Sequence, residues 1–278
     1  MNITIVGLGL IGGSLAKATK SRTSHTVMGC DLDEEVKLFA RLTGAIDRQF
    51  DAEFLSESNL ILLALRPHAA IAWMREHAPN IAKTAVVVDM CGTKREICDQ
   101  LGRIAAENGF IYVGGHPMAG KECGGFVNAS DTLFDGASMI LTPDSSIDMK
   151  TLEMLKNYFT DIGFANLTFS NPEEHDQIIA YTSQLAHIVS GAYVKSPTAA
   201  KRRGFSAGSF KDMTRVARLD EDMWTELMLQ NRDYLCEELD ILIEKLSEYK
   251  TALQANDANA LRECLKEGRL CKANAGGN

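Results

Sequence analysis

The chain opens with an apolar run and a glycine turn that decide its fold, Ile3-Thr4-Ile5-Val6 followed by Gly7-Leu8-Gly9-Leu10-Ile11-Gly12. This order predicts a strand, a tight turn and the start of a helix. We expect Gly7 to make the turn, Gly9 to let a pyrophosphate approach the backbone, and Gly12 to let the helix pack closely on the strand. The unpaired amides at the start of that helix would then bind the phosphates.

A second predicted strand, residues 26–31, ends in an acid, Asp31, which lies 19 residues after Gly12. A carboxylate about 20 residues beyond the glycine turn is typical of one that binds the adenosine ribose. We expect Asp31 to accept hydrogen bonds from that ribose and to repel a 2'-phosphate, which favours NAD over NADP. The alternative is that Asp31 caps the helix that follows Leu32.

Composition places the chain among ordinary globular proteins. It has 278 residues, 45% of them hydrophobic and 24% charged, and a net charge of -8, which argues against a nucleic-acid surface. No apolar run approaches the ~20 residues that cross a bilayer, and the first strand begins too early to leave room for a targeting peptide. Seven scattered cysteines without zinc spacing predict reduced thiols, no metal site and a cytoplasmic location.

Residues 1–169 alternate short apolar runs with helical patterns, which predicts a parallel sheet covered on both faces. After the first two strands, four more are predicted at residues 60–64, 85–89, 110–113 and 139–141. Residues 170–278 show helical patterns throughout. The sequence therefore predicts an α/β fold, a Rossmann-type doubly wound domain over 1–169 followed by an all-helical domain over 170–278.

The helical part begins with a strong start signal. Asn171 can cap a helix, Pro172 suits its first position, and Glu174 can complete a capping box, so we expect a helix over residues 173–195. Later in the chain, apolar side chains repeat at spacings of 4, 3, 4 and 3, at Leu235, Leu239, Leu242, Leu246 and Tyr249. This stripe packs either in an intramolecular core or in a homodimer interface. We expect the small, glycine-rich end at residues 273–278 to fray.

Ligands of open α/β sheets bind at the carboxyl ends of the strands, so the residues after each strand are candidates for chemistry. Three segments qualify: residues 66–68, 89–94 and 114–122. His116 stands out because glycines flank its strand end and Pro117 stiffens it. With an ordinary pKa of about 6.5, this histidine can take a proton from a hydroxyl near neutral pH. The glycine turn, the acid after the second strand and the ends of the next strands give the positions that we assign to the cofactor. They are Gly7, Gly9, Leu10, Ile11, Gly12, Asp31, Leu65, Arg66 and Gly92.

Several motifs together resemble the prephenate/arogenate dehydrogenases of tyrosine biosynthesis. They are the glycine turn, residues 114–122 (GGHPMAGKE), His175-Asp176 with residues 183–187, and residues 210–215 (FKDMTR) followed by Met223-Trp224. The resemblance covers nearly the whole chain in order. It implies an NAD-dependent oxidative decarboxylation of a cyclohexadienyl substrate, with His116 as the base that takes the proton of the ring 4-hydroxyl while hydride leaves the same carbon.

The resemblance also implies residues that hold the substrate. Arg215 matches the family's carboxylate anchor, since a guanidinium grips a carboxylate with two hydrogen bonds. Its alternative is a surface arginine that bridges to Asp212 or Asp220. Further substrate positions are His187, Gly208, Trp224 and Thr93, although packing explains the histidine and the tryptophan nearly as well.

Two residues depart from the family pattern. Where relatives often carry a serine that assists the catalytic histidine, this chain has Gly92, followed by Thr93. Either Thr93 supplies that hydrogen bond or His116 works without it. Gln184 stands where relatives commonly have the first histidine of an HxxH pair.

Other functions stay open at this point. Arogenate differs from prephenate in having an ammonium group in place of the side-chain keto group, and the sequence does not locate the carboxylate that would bind it. A 3-hydroxyacid or imine reductase has a similar two-domain build but usually a catalytic lysine or aspartate on the helical domain. A sensor that binds NAD without turnover has no need of His116 and Arg215 together.

Overall fold

The computed structural model describes residues 1–121, 123–205 and 207–275, and this part of the chain contains eight strands in one sheet. The strands are β1 Asn2–Val6, β2 Thr26–Cys30, β3 Arg48–Gln49, β4 Leu60–Leu63, β5 Val86–Asp89, β6 Ile111–Pro117, β7 Ser138–Thr142 and β8 Asn166–Phe169. Their order across the sheet is β3-β2-β1-β4-β5-β6-β7-β8. The chain winds outward in both directions from β1 and β4, as expected for a doubly wound sheet.

The sheet is parallel from β3 to β6, but β7 runs antiparallel to β6, with His116 opposite Ile140. β8 is parallel to β7. The expectation of a wholly parallel sheet is therefore wrong for the last two strands. A parallel pairing needs a long crossover, usually a helix, whereas the described part of the β6–β7 connection contains only the short 3₁₀ turn Phe126–Asn128.

All six predicted strands are present, but β6 is longer than expected. It continues to Pro117, so His116 lies within the strand rather than just after it. The sequence missed β3 and β8, which lie at the two edges of the sheet. β3 has two residues, and β8 is mostly exposed. Neither has the continuous apolar run by which central strands are recognised.

The helices cover both faces of the sheet and then form the second half of the chain. They are α1 Leu10–Arg22, α2 Glu34–Leu42, α3 Ala52–Ser56, α4 Pro67–His77, α5 Arg95–Asn108, α6 Met149–Asp161, α7 Pro172–Ile179, α8 Ala186–Val194, α9 Gly208–Thr214, α10 Glu221–Gln230, α11 Arg232–Gln254 and α12 Ala258–Ala275. On one face, Ile3 and Ile5 pack with Leu15 of α1 and Phe159 of α6. On the other, Leu63 packs with helices α4 and α5. Burial on both faces explains the near-continuous apolar strands.

The helical region starts as its sequence indicates. The side chain of Asn171 accepts a hydrogen bond from the Glu174 amide at 2.9 Å, and Pro172 occupies the first turn. The Glu174 carboxylate accepts a hydrogen bond from the Ser170 hydroxyl at 2.6 Å, not from the Asn171 amide, so the expected capping box is formed only on the Asn171 side. The predicted helix over 173–195 has one irregularity, since a π-helical segment, Ala180–Leu185, joins α7 to α8. Such segments frequently occur at functional sites.

The leucine stripe of α11 divides into two parts. Leu235 is buried in a small core with Ala180 and Leu185, and Leu239 and Leu242 pack against that core. Leu246, by contrast, is 59% exposed. Tyr249 is half-buried and donates its hydroxyl to the Cys264 carbonyl oxygen of α12 at 3.0 Å. The intramolecular alternative therefore holds for all of the stripe except Leu246, which stays open to a partner.

The end of the chain remains helical further than expected, since α12 reaches Ala275, while residues 276–278 lie outside the described residues. Within the described part of the chain, no helix is both long and apolar enough to cross a membrane.

Candidate active site

The glycine turn after β1 has the geometry that its sequence predicts. Gly7 adopts a φ of +85°, which a side chain would strain, and a Cβ there would lie 2.5 Å from the Ala64 carbonyl oxygen. A Cβ on Gly12 would lie 1.8 Å from the carbonyl oxygen of Gly7, so the start of α1 packs directly on the turn. A Cβ on Gly9 would meet no atom within 4 Å. The turn is thus closed toward the protein and open at Gly9, as a pyrophosphate requires.

Asp31 lies just beyond β2 and is half-buried beside this turn. Its Oδ2 accepts a hydrogen bond from the Leu8 amide at 2.7 Å, and its Oδ1 accepts one from the Asp33 amide at 3.0 Å. The alternative that Asp31 caps α2 is wrong, because Asp33 accepts the hydrogen bonds from the amides of Glu35 and Val36. Asp31 therefore holds the glycine turn itself, and its remaining lone pairs can accept further donors.

The residues after β4 link the glycine turn to the helical region. The Leu65 side chain lies against Gly7, where its Cδ2 would be 2.8 Å from an added Cβ. The Arg66 guanidinium donates to both carboxylate oxygens of Asp220, at 3.1 and 3.0 Å. Asp220 in turn caps α10 by accepting a hydrogen bond from the Met223 amide. The sequence assigned Arg66 to the cofactor, and this contact adds a second role, since it ties α10 to the strand end.

A buried ion pair anchors the connection after β5. Asp89 and Lys94 are both fully buried and form a salt bridge. The Asp89 carboxylate also accepts hydrogen bonds from the Tyr112 hydroxyl at 2.6 Å and from the amides of Cys91 and Gly115 at 2.9 and 3.3 Å. Burial is the largest influence and disfavours the charged lysine, but Asp89 together with Cys91 and Cys98 raises the pKa of Lys94 overall. The pair fixes the Gly92-Thr93 loop against β6, next to His116.

His116 is half-buried and is held from one side. Its Nδ1 lies 2.9 Å from Nε2 of His175, and Nδ1 of His175 lies 2.8 Å from Oδ1 of Asp176. Burial, together with His175 and Lys94, holds the pKa of His116 well below its ordinary value. Burial also lowers the pKa of His175, although Asp176 acts in the opposite direction. Both rings are therefore neutral near pH 7, as a proton acceptor must be.

Two contacts bear on whether Thr93 supplies a hydrogen bond to His116. Its hydroxyl donates to Oε1 of Gln230 at 2.7 Å, while the partner of His116 is His175. Thr93 is also buried, with 1% of its surface exposed. Its assignment to the substrate stays a prediction.

Helix α10 lies across the ends of β4 and β5 and faces His116. A Cβ added at Gly92 would lie 3.3 Å from a methyl group of Leu227 on α10 and 3.9 Å from Nε2 of His116. The missing side chain of Gly92 thus leaves a gap of about the size of a methyl group between Nε2 of His116 and Leu227 of α10. Because α10 is tied to the strand ends by Asp220 as well, the whole helix is fixed over this space.

One helical turn before Leu227, the indole of Trp224 packs on the His187 ring, with 3.8 Å between the ring centroids. His187 donates from Nδ1 to the Val216 carbonyl oxygen at 2.9 Å, which leaves Nε2 without that bond. Burial lowers the pKa of His187, and the nearby positive charge of Arg215 adds to the effect. The structure therefore gathers three of the predicted substrate residues, His187, Trp224 and Arg215, on the helical side.

Gly208 and Arg215 are both exposed, at the start of α9 and just after its end. The predicted bridge from Arg215 to Asp220 has a competitor, since Asp220 already pairs with Arg66. For Gly208 and Arg215 the assignment to the substrate stays a prediction. Glu122, the last residue of the GGHPMAGKE motif, lies outside the described residues.

Sequence reasoning missed the roles of His175, Asp176 and Gln184. The sequence predicts no function for the first two, and the pair stands in a polar helix start, Pro172–Gln177, where no local pattern distinguishes it from surface residues. Gln184 is buried and donates to the Leu227 carbonyl oxygen at 3.2 Å, while it accepts from Asn231 at 2.9 Å. Asn231 also donates to the backbone carbonyl of Asp176 at 2.8 Å. This buried network links α10 to α7 and holds Asp176 in place.

These features first define a class. A doubly wound sheet with a glycine turn after β1, and a helical region that closes over the strand ends, is the architecture of a Rossmann-type nucleotide-binding protein with a second domain. The sequence matches two family domains, the prephenate dehydrogenase nucleotide-binding domain over residues 15–166 and the prephenate dehydrogenase dimerization domain over residues 171–267. The chain belongs to the prephenate dehydrogenase family of oxidoreductases.

Three relatives show how far the likeness extends. The cyclohexadienyl dehydrogenase of Zymomonas mobilis is 33% identical over 98% of this chain and 94% of its own length. The structure of Synechocystis arogenate dehydrogenase has a TM-score of 0.83 at 25% identity and covers 99% of this chain and 100% of that one. Prephenate dehydrogenase from Aquifex aeolicus, in complex with hydroxyphenyl propionate and NAD+, has a TM-score of 0.84 at 27% identity, covering 99% and 98%.

Proposed function

We propose that this protein catalyses the NAD-dependent oxidative decarboxylation of prephenate to 4-hydroxyphenylpyruvate. The observation that carries the proposal is the setting of His116. One ring nitrogen is bonded to His175, and the other faces the space between Gly92 and α10 at the carboxyl end of the sheet. Membership of the prephenate dehydrogenase family supports this reaction over a hydroxyacid or imine reductase and over a sensor without turnover.

The residues around the glycine turn after β1 fit NAD. The open face of Gly9, the start of α1 at Leu10 and Ile11, and the carboxylate of Asp31 would receive the pyrophosphate and the ribose. Leu65, Arg66 and Gly92 complete the proposed cofactor positions on the neighbouring strand ends. When bound, NAD supplies a hydride acceptor. The related Aquifex enzyme carries NAD+ in its structure.

His116 provides the proton transfer. Its free Nε2 accepts the proton of the ring 4-hydroxyl as the C4–H bond breaks with its electron pair and the hydroxyl carbon becomes a carbonyl. Breaking the bond between the ring and its carboxylate then releases carbon dioxide and returns an electron pair to the ring. The phenolate oxygen formed in this way takes the proton back from His116. General-base assistance of this kind contributes roughly 10²- to 10⁴-fold in rate.

The substrate's carboxylates need cations and donors. We propose that Arg215 holds one of them, with His187 and Trp224 beside it on the helical side and with Gly208 and Thr93 as further substrate positions. A guanidinium offers two parallel N–H donors to a carboxylate. We retain residues 1–169 as the cofactor domain and 170–278 as the substrate domain.

Arogenate is the second candidate substrate. The relatives include an arogenate dehydrogenase as well as a prephenate dehydrogenase, and arogenate would give tyrosine directly. Steady-state rates of the purified protein with prephenate and arogenate, each with NAD and NADP, separate the four combinations. We expect the highest kcat/KM with prephenate and NAD, and a higher value with arogenate would replace the first candidate with the second.

The matched variant is His116→Asn, which we expect to bind NAD as the unaltered protein does and to lose about 10²- to 10⁴-fold in kcat. Cofactor binding is measured separately by quenching of protein fluorescence. An unchanged kcat would remove His116 as the base, whichever substrate is preferred.

We further propose a homodimer formed through the helical domain. Exposed apolar side chains occur on both long helices, including Ile243, Leu246 and Leu253 of α11 and Leu265 of α12. Exposed apolar surface of this kind is typical of an interaction site, and the second matched family domain is described as a dimerization domain. Light scattering should give twice the mass of one chain. The seven cysteines are all free, in keeping with the cytoplasmic location that we propose.

A further inference from the structure

We propose that His175, oriented by Asp176, is a positioning residue that sets the tautomer of His116 and so determines which of its nitrogens accepts the substrate proton. The inference rests on the proposed function of His116 as the base.

The direction of the chain of hydrogen bonds follows from Asp176. Its Oδ1 accepts from the Lys94 amide at 2.7 Å and faces Nδ1 of His175 at 2.8 Å. Its Oδ2 accepts from the Arg95 amide at 2.9 Å and from Nε of Arg95 at 3.3 Å. Burial acts to raise the pKa of Asp176, but hydrogen bonds from His175 and the two amides lower it overall. Asp176 is therefore a carboxylate that only accepts hydrogen bonds.

His175 must consequently carry its proton on Nδ1, because that nitrogen faces a carboxylate oxygen. The ring is fully buried, with a side-chain exposure of 0%, and it is neutral near pH 7. In a neutral imidazole the other nitrogen has a lone pair and accepts. Nε2 of His175 therefore accepts from Nδ1–H of His116, at 2.9 Å.

This leaves His116 with its proton on Nδ1 and a free lone pair on Nε2. Nε2 is the nitrogen that faces the space at Gly92. The Asp176 carboxylate, two hydrogen bonds away, thus places the lone pair of His116 on the nitrogen that faces the proposed substrate position. The arrangement follows the general rule that the bond made by one ring nitrogen sets the state of the other.

The same contacts shape the pH response of His116. The charged groups around the pair lie on different elements: Asp176 on α7, Asp89 at the end of β5, Lys94 in the loop after it, and Arg95 at the start of α5. Burial opposes a positive charge on His116, and the charge of Lys94 acts in the same direction. Because the base must be unprotonated, activity falls as the pH drops through the pKa of His116, and a lowered pKa moves this fall to a pH below about 6.5.

The direct test is the protonation of the His116 ring nitrogens, read by ¹⁵N NMR of histidine-labelled protein, with His116→Asn identifying its signals among the six histidines. We expect a protonated Nδ1 and an unprotonated Nε2 at neutral pH in the full-length protein. A protonated Nε2 would overturn the inference. This readout does not depend on turnover, so it stands even if His116→Asn were to keep its kcat and the proposed function were to fail.

The matched variant is Asp176→Asn. The amide oxygen can keep both donors of Arg95 at the position of Oδ2. The amide nitrogen then stands at the position of Oδ1, where it donates to Nδ1 of His175, reverses both tautomers and leaves the Lys94 amide without its acceptor. We expect Nε2 of His116 to become protonated and kcat to fall by about 10²- to 10⁴-fold, with NAD binding retained. Unchanged ring signals and an unchanged kcat would contradict the role of Asp176.

A second pair of variants applies if Asp176→Asn does not fold. Glutamine can place an acceptor near the position of Nε2, so His175→Gln should keep kcat within about tenfold, while His175→Leu should lose as much as Asp176→Asn. His175→Gln should also leave the acid limb of kcat/KM in place, whereas His175→Leu should move it to lower pH, because it removes the acceptor that stabilises protonated His116. Equal losses in both variants, with an unmoved pH profile, would show that His175 serves packing alone.

Discussion

Asp31→Asn tests whether the acid after β2 binds the ribose or only stabilises the glycine turn. The carboxylate accepts from the amides of Leu8 and Asp33 in the structure. Asparagine keeps one acceptor oxygen and removes the charge, so the turn loses about 1 kcal/mol of hydrogen bonding. This loss weakens NAD and NADP equally and cancels in the ratio of their dissociation constants.

The charge itself acts on that ratio. A carboxylate repels a doubly charged 2'-phosphate about 5 Å away by roughly 1.7 kcal/mol in a water-like dielectric, or about 17-fold in affinity. Because Asp31 is half-buried, the local dielectric constant is lower than that of water, and the repulsion should be at least this large. Loss of the bond from the ribose hydroxyls to a charged acceptor weakens NAD by a further ~1.5 kcal/mol or more. We expect the preference for NAD to fall by at least about tenfold.

The assay is fluorescence titration with NADH and NADPH at fixed ionic strength, because salt screens the repulsion. Asp33→Asn is the control: it removes an acid two residues away, and asparagine caps α2 as well as aspartate does. It should leave the ratio unchanged. A ratio that stays the same in Asp31→Asn, or that changes equally in both variants, would refute the assignment of Asp31 to the ribose.

Two further predictions concern the turn and the substrate anchor. Gly9→Ala should keep the melting temperature of the free protein, since its Cβ meets no protein atom within 4 Å, but it should raise the dissociation constant of NAD. Gly12→Ala should lower the melting temperature, because its Cβ would lie 1.8 Å from the Gly7 carbonyl oxygen. Equal melting temperatures would contradict this division of roles. Arg215→Ala should raise KM by about 30-fold, or ~2 kcal/mol, if it binds a carboxylate. The neighbouring exposed Arg218→Ala is the control, and an equal effect of the two would exclude Arg215 as the specific anchor.

Much of the α/β half could be predicted because its signals are local. Gly7 is favoured by its positive φ and Gly12 by its contact with the Gly7 carbonyl, and both requirements are local. The central strands are apolar throughout because both faces are buried. The errors occur where the structure departs from that pattern. β8 is an exposed edge strand, and the direction of β7 depends on a connection without a crossover helix.

The site was predicted in part for the same reason. His116 stands next to a strand end, and strand ends of such sheets bind ligands. Its partner His175 lies 59 residues further along the chain, and no local pattern shows that the two rings meet. The family resemblance offered Thr93 as one possible partner, but that hydroxyl donates to Gln230.

By itself the sequence determined the glycine turn, the central strands and the start of the helical region at Asn171, and it led to His116 as the proposed base. Each of these depends on residues within one or two turns of chain. Tertiary structure alone decided the state of that side chain. Only when α7 packs against the loop after β5 do the backbone amides of Lys94 and Arg95 meet Asp176, and the direction of every hydrogen bond from there to Nε2 of His116 follows from that contact.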